Sequence, residues 1–323
     1  MAADAGLVEV MRLIDRAEVA RRLTMPRAIA IVRQAMIALS NGETKQTLRS
    51  IIPMGHGRMF GVMPGTMGDG NTFGAKLLGI FPENAARGLQ SHQGLVILFD
   101  PDTGVPLAGI DAAEITAIRT AAASAVATDA LARPEASRLA IVGTGEQAHT
   151  HARGMAAVRG LTDIRVWGRS LAKAEALAAA LAAELGVPAT ALAGVADTVR
   201  DADIICTVSG ADDPVLLSGM VPDGTHINLV GSSRAGPREI DDALVLRSRF
   251  IADYRVGVLA QGGEFLHARD AGLVTDAHVV GEIGEVLAGR LAGRENAAQV
   301  TAYKSLGHIV QDLACGWALY SEA

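Results

Sequence analysis

The stretch Ser137–Ala148, SRLAIVGTGEQA, constrains this chain more than any other. A short apolar run, a glycine-rich turn and a helix-compatible segment follow one another, the order of a parallel βα unit whose turn holds a dinucleotide. In this GxGxxA spacing Gly143 allows the tight turn, Gly145 lets backbone approach a pyrophosphate, and Ala148 keeps the helix close to its strand. The phosphates then sit on the helix N-terminus, where backbone N–H groups lack intrahelical partners. Glycine turns also close ordinary βα units, so the neighbouring strands must carry the rest of the argument.

The second strand runs IRVWGRS. NAD-preferring folds place an acidic residue at its end to accept hydrogen bonds from the ribose hydroxyls. Here the position offers Gly168, Arg169 and Ser170, and the next carboxylate is Glu175. An arginine pairs with a 2′-phosphate and a serine donates to it, so NADP(H) is expected in preference to NAD(H). The plainer alternative makes Arg169 a solvated residue at a helix start.

The chain has 323 residues, half of them apolar, enough for two domains with buried cores. From Ala112 to Leu131 no glycine or proline interrupts a long helix, and beyond it apolar strands alternate with helical segments. Strands are expected at 138–142, 164–167, 204–208, 227–230 and 250–252, a doubly wound α/β domain. Before it, Pro26–Ser40 carries a helical apolar stripe, and Leu48–Ile110 breaks into short apolar runs between Gly, Pro and Asp turns, an antiparallel sheet. A final helix, LGHIVQDLACGWALY, has a stripe suited to packing back on the first domain. We place the boundaries at 1–125 with 300–323 for the first domain and 126–299 for the second.

The net charge of −6 and the lack of any Lys/Arg-rich block argue against a nucleic-acid partner. Cys206 and Cys315 are the only cysteines, too few for a disulfide framework or a thiolate metal site, and both fit a reducing cytoplasm. No apolar run reaches membrane-spanning length, and the N-terminus reads as free of a targeting segment. No metal spacing is evident: His149 and His151 point in different directions on a helix, and Asp241–Asp242 read as a helix cap and first turn.

Three cations stand in apolar runs: Arg49 in TLRSIIP, Lys76 in FGAKLLGIF and Arg119 in AEITAIRTAAASA. A buried charge is costly unless paired. Together they suit a small anionic substrate; singly, each is as well explained by a structural carboxylate such as Asp111 or Glu114.

The succession RSIIP, MFGVMPG, AKLLGIF, SHQGLVILFDPDTGVPLAGID, IRTAAASAVAT, IVGTGEQA, HINLVGSSR, GEIGEVLAG and YKSLGHIVQD resembles the ornithine cyclodeaminase and mu-crystallin family over nearly the whole chain. The resemblance implies a Rossmann-type domain beside an α+β domain that supplies the substrate site and the contact of a homodimer. It assigns the substrate carboxylate to Arg49, Lys76 and Arg119. It assigns the cofactor to Ser91, His92, Arg119, Thr120, the turn Gly143, Thr144, Gly145, Glu146 and Gln147, and to Arg169, Ser170, Thr207, Val208, Val230 and Lys304. For His92 the residues alone fit a structural turn equally well.

Ornithine-type cyclodeaminases follow the strand HINLVG with a catalytic aspartate, whereas this chain has Ser233 there. A serine is far too weakly basic to take a proton from a substrate amine. The expected reaction is therefore NAD(P)H-dependent reduction of an α-imino acid, cyclic or acyclic, to an L-amino acid, with Lys76 and Ser233 near the nitrogen. Behind it stand reductive amination of a 2-oxo acid in the manner of alanine dehydrogenase, then cyclodeamination, then a non-catalytic NADPH- and ligand-binding protein.

Overall fold

The computed structural model describes residues 11–322. The first ten residues, part of the segment read as free of targeting signals, lie outside the described residues. The chain divides into two units: one takes the chain through Thr24, Glu43–Thr116 and the chain from Ile309, the other Met25–Gly42 and Ala117–His308.

The first unit is built on a 7-stranded sheet. Its strands are β1 (Arg12–Ile14), β2 (Lys45–Gln46), β3 (Ser50–Gly55), β4 (Arg58–Thr66), β5 (Phe73–Ile80), β6 (His92–Phe99) and β7 (Pro106–Asp111). From β3 to β7 consecutive strands pair antiparallel, as the turn-separated apolar runs require, while β1 joins β7 in parallel. The helix Ile309–Ser321 lies across β4, β5 and β6 and buries Ile309, Val310, Leu313 and Leu319. The stripe on the final helix thus finds the partner expected for it.

The second unit holds an 8-stranded sheet in the order β10-β9-β8-β11-β12-β15-β13-β14. The strands are β8 (Arg138–Val142), β9 (Asp163–Trp167), β10 (Ala189–Ala191), β11 (Ile204–Thr207), β12 (His226–Leu229), β13 (Arg249–Ala252), β14 (Val279–Glu282) and β15 (Thr301–Lys304), all parallel. Because side chains alternate along a strand, each face buries its own core. Leu139, Ile141, Ile204 and Cys206 join one cluster. Ala140, Val142 and Ile205 join another. The strand order reverses between β8 and β11, and in open parallel sheets ligands bind beyond the carboxyl ends at such a point.

Three placements differ from expectation, the first being that the second unit resumes at Ala117, within the long helix, and not at 126. The segment from residue 300 was assigned to the first domain, but Thr301–Lys304 is a strand of the second sheet and the return comes at Ile309. TAYK is buried on both faces, so it shows no alternation, and its lysine disguises it as surface. The helix Met25–Ser40 likewise groups with the second unit, where it packs against the helices Ile283–Leu287 and Glu146–Val158. An apolar stripe announces a helix but not its partner.

No helix among the described residues is long and apolar enough to cross a membrane. Cys206 and Cys315 are both buried, and neither forms a disulfide among the described residues. His151 lies between Ser124 Oγ, 2.9 Å from Nε2, and the Gln147 carbonyl, 2.7 Å from Nδ1. Burial holds its pKa down to about 4, partly offset by that carbonyl. His226, between Thr301 and Asn228, is pushed down to about 3 by burial and by the Arg294 charge.

Both pKa values lie below the ordinary 6.5, so the unfolded chain binds protons first as pH falls. The stability they contribute is complete above pH 6.5 and is lost as pH drops towards 4 and 3, by up to about 1.4 kcal/mol per pH unit for each ring. Denaturant unfolding between about pH 7 and 4.5 should show this slope, and His151→Gln should flatten it. An unchanged slope in the variant would remove His151 from the account.

Candidate active site

The turn after β8 has the geometry the fingerprint requires. Gly143 has φ +141, and a Cβ there would stand 2.7 Å from the Val208 carbonyl oxygen, so only glycine fits between this turn and the end of β11. Its N–H donates to the Trp167 carbonyl at 2.8 Å, which ties the turn to β9 as well. Gly145 is different: its φ is −85, open to any residue, and a Cβ would meet nothing within 4 Å. No neighbouring protein atom requires a glycine there, while a pyrophosphate would. Gly145 also provides no side-chain cap for the helix Glu146–Val158, and a helix N-terminus is a favourable place for an anion. Ala148 is buried with Leu139 and Ile141, as expected.

Thr120, on the helix Ala112–Leu131, is buried, and its Oγ1 finds no hydrogen-bond partner among the described residues. A buried hydroxyl without a partner costs free energy unless something completes it. This orphan oxygen and the empty cradle at Gly145 both fit a dinucleotide.

At the end of β9, Arg169 is exposed and forms no ion pair with a described residue. Ser170 caps the helix Leu171–Leu185, accepting from the Lys173 N–H at 3.4 Å, which leaves its own hydroxyl proton free to donate. At the ends of β11 and β12, Thr207 is fully buried and its hydroxyl donates to Glu239 Oε2 at 2.7 Å, so a cofactor would meet this position through backbone. Val208 and Val230 are half-buried at the strand ends, and Ser233 is half-buried in the loop after β12. Lys304 is wholly buried: its Nζ is 2.7 Å from Glu264 Oε2 and donates to the Ser232 carbonyl at 2.7 Å. Its ammonium is thus engaged inside the fold.

Glu239 and Glu264 escaped the sequence reading. Glu239 sits in PREIDD, a run that reads as solvated surface, and GEFLHARD around Glu264 is no more informative. The adjacent Asp241 does cap the helix Asp242–Arg247, accepting from the Leu244 N–H at 3.0 Å.

In the second unit Arg119 is buried with its guanidinium against Gly307, where a Cβ would come within 2.6 Å of Nη1. In the first unit Arg49 is half-buried just before β3, and Ser91 and His92 open β6 with Oγ and Nδ1 3.0 Å apart. Partial desolvation of the exposed His92 ring, and secondarily the Lys76 charge, hold its pKa below the ordinary value. Lys76, on β5, is almost completely buried and lies 2.8 Å from each carboxylate oxygen of Asp312 and 3.4 Å from Thr116 Oγ1. The structural carboxylates considered for it are engaged elsewhere: Asp111 caps the helix Ala112–Leu131, and Glu114 pairs with Arg16. Asp312 is therefore the partner that the sequence did not reveal.

A doubly buried pair contributes little net stability when intact, but losing one member strands the other charge. Lys76→Met should lower unfolding stability by about 3–5 kcal/mol. Lys76→Met combined with Asp312→Leu should recover most of it without restoring substrate turnover. Chemical denaturation of both variants beside steady-state assays separates the two effects. Activity equal to wild type in the double variant would exclude Lys76 from the site.

The family model for ornithine cyclodeaminase/mu-crystallin proteins matches residues 8–323. The chain is 32% identical over 315 residues to a delta(1)-pyrroline-2-carboxylate reductase of Bacillus cereus, covering 97% of both chains. It is 34% identical over 281 residues to the ketimine reductase mu-crystallin of Mus musculus, covering 87% of this chain and 86% of that one. Among solved structures it superposes with a TM-score of 0.94 on Thermococcus litoralis delta(1)-pyrroline-2-carboxylate reductase in complex with NADH and L-proline, at 32% identity and 97% coverage of each.

Proposed function

The chain belongs to the ornithine cyclodeaminase/mu-crystallin family, and from that premise we propose that it is an NADPH-dependent reductase converting an α-imino acid to an L-amino acid. One observation carries the choice of reaction within the family. From Val230 to Arg238 the loop beyond β12 contains no carboxylate and presents the half-buried Ser233. Deamination of an amine needs a base there; reduction of an imine does not, because a protonated imine is already electrophilic.

When bound, the reduced nicotinamide supplies the hydride that the imine carbon accepts. The glycine turn and the uncapped start of the helix Glu146–Val158 hold the pyrophosphate, and Thr120 Oγ1 gains a partner. Arg49, Lys76 and Arg119 take the substrate carboxylate, and Asp312 fixes the Lys76 ammonium so that orientation need not be achieved during turnover. Lys76 and Ser233 serve the nitrogen, by hydrogen bonding or proton delivery.

The preference for NADPH rests on Arg169, exposed and without a carboxylate partner among the described residues, and on the Ser170 hydroxyl beside it. Homodimerisation is supported by β3, an edge strand whose Ile52 and Met54 stand 52% and 45% exposed, an arrangement that isolated proteins usually avoid. A cytoplasmic setting suits the two buried cysteines, which form no disulfide among the described residues.

NADPH oxidation should be followed with pyrroline and piperideine carboxylates, iminosuccinate, and pyruvate with and without ammonia. Turnover of a cyclic imino acid without added ammonia is expected; strict ammonia dependence would move the assignment to reductive amination. Arg169→Ala should raise KM for NADPH by about 10- to 100-fold and leave NADH nearly untouched. If NADH were the better donor for the unaltered protein, the assignment of Arg169 would be wrong.

A further inference from the structure

Beneath the ends of β11 and β12 lies a buried polar cluster that the proposed chemistry does not use. Glu239 is wholly buried, and donors surround its carboxylate. Oε1 accepts from the Ser209 N–H and the Ser209 hydroxyl, each at 2.7 Å. Oε2 accepts from the Gly231 N–H and the Thr207 hydroxyl, each at 2.7 Å. One carboxylate therefore joins the loop that leaves β11 to the loop that leaves β12.

The clamp continues on the far side of the second loop. The Glu239 N–H donates to Glu264 Oε1 at 3.3 Å, Glu264 pairs with Lys304, and Lys304 donates to the Ser232 carbonyl. The Ser232 hydroxyl donates to the Pro237 carbonyl at 2.6 Å and closes the loop on itself. Every residue flanking Ser233 on its N-terminal side back to Gly231 is thus held from below, while Ser233 itself is left half-buried. Placing charges this deep is expensive, and well-packed apolar residues would serve stability as well or better. What apolar residues cannot do is accept two backbone N–H groups from two different strand ends at one fixed spacing.

We propose that Glu239 is a positioning residue, whose carboxylate sets the spacing between the Thr207–Ser209 and Gly231–Ser233 backbones across which the dinucleotide and the imine nitrogen are handled. This rests on the reading that these strand ends hold a dinucleotide. The Lys304–Glu264 pair is the second half of the same device, and Gly231 makes room for the Glu239 carboxylate: a Cβ at Gly231 would stand 2.3 Å from Glu239 Oε1.

Glu239→Gln replaces one acceptor oxygen by an NH2 group that faces a backbone N–H. In the variant, hydrogen exchange should lose protection at Ser209 and Gly231 while Ile205 and Ile227 within β11 and β12 keep theirs. NADPH affinity, measured by fluorescence titration without substrate, should fall at least about tenfold, and kcat with the cyclic imino acid should fall further than affinity explains. Leu244→Ala, a core truncation in the same unit, should lower stability with wild-type NADPH affinity and kcat, which separates positioning from general stability. Local loss of protection with unchanged affinity and kcat would overturn the proposal, as would equal losses in Leu244→Ala. If Glu239→Gln does not fold, Ser209→Ala carries the test: it removes one donor, a several-fold weakening supports the clamp, and wild-type affinity overturns it. Should the unaltered protein bind NADPH but reduce no imino acid, the functional reading fails while the affinity and exchange arms still decide the clamp.

Discussion

A buried charge must be paired, and in this chain that constraint governs the C-terminal segment. β15 runs through the middle of the second sheet and brings Lys304 to Glu264; further along the chain, Asp312 on the last helix meets Lys76 on β5. Each pair is almost or wholly buried, and each ties a residue near the chain end to one far earlier in sequence. Removing any one of the four leaves an uncompensated charge in low dielectric. The pairs therefore enforce where the last strand and last helix dock more strictly than apolar packing, which tolerates sliding and substitution.

The second sheet makes its site by topology. Strand order reverses beside β8, and the Gly143 turn lies directly against the backbone at Val208. What remains there is an uncapped helix start, an open cradle at Gly145 and an unsatisfied hydroxyl at Thr120. These are the features a bound anion with a polar body would complete. Lys304 sits within the same set of strand ends, and its ammonium is engaged by Glu264 and the Ser232 carbonyl.

Local pattern carried much of the fold. The helix from Ala112 to Leu131, the strand Arg138–Val142 and the fingerprint turn occur where propensity and periodicity put them. Strand β10 (ATA) has only 3 residues, β14 (VVGE) carries a glycine and a carboxylate, and β15 (TAYK) ends in a lysine, so none shows the run of strongly apolar residues that marks a buried strand. Of the candidate site, the glycines and Arg169 could be read because their chemistry is local to a turn. Asp312, Glu239 and Glu264 could not: a carboxylate in a helical or loop segment looks like surface until its partner, distant in sequence, is known.

A glycine turn with dinucleotide-fingerprint spacing after an antiparallel sheet and a long helix, and a loop after HINLVG without a carboxylate, are legible in the residues alone. These follow from short-range sterics and from the identity of single residues. Which charges neutralise one another, that the strand Thr301–Lys304 belongs to the second sheet, and that one glutamate bridges two strand ends emerge in three dimensions alone. Pairing across long sequence separations depends on where the backbone brings side chains, and no local pattern encodes it.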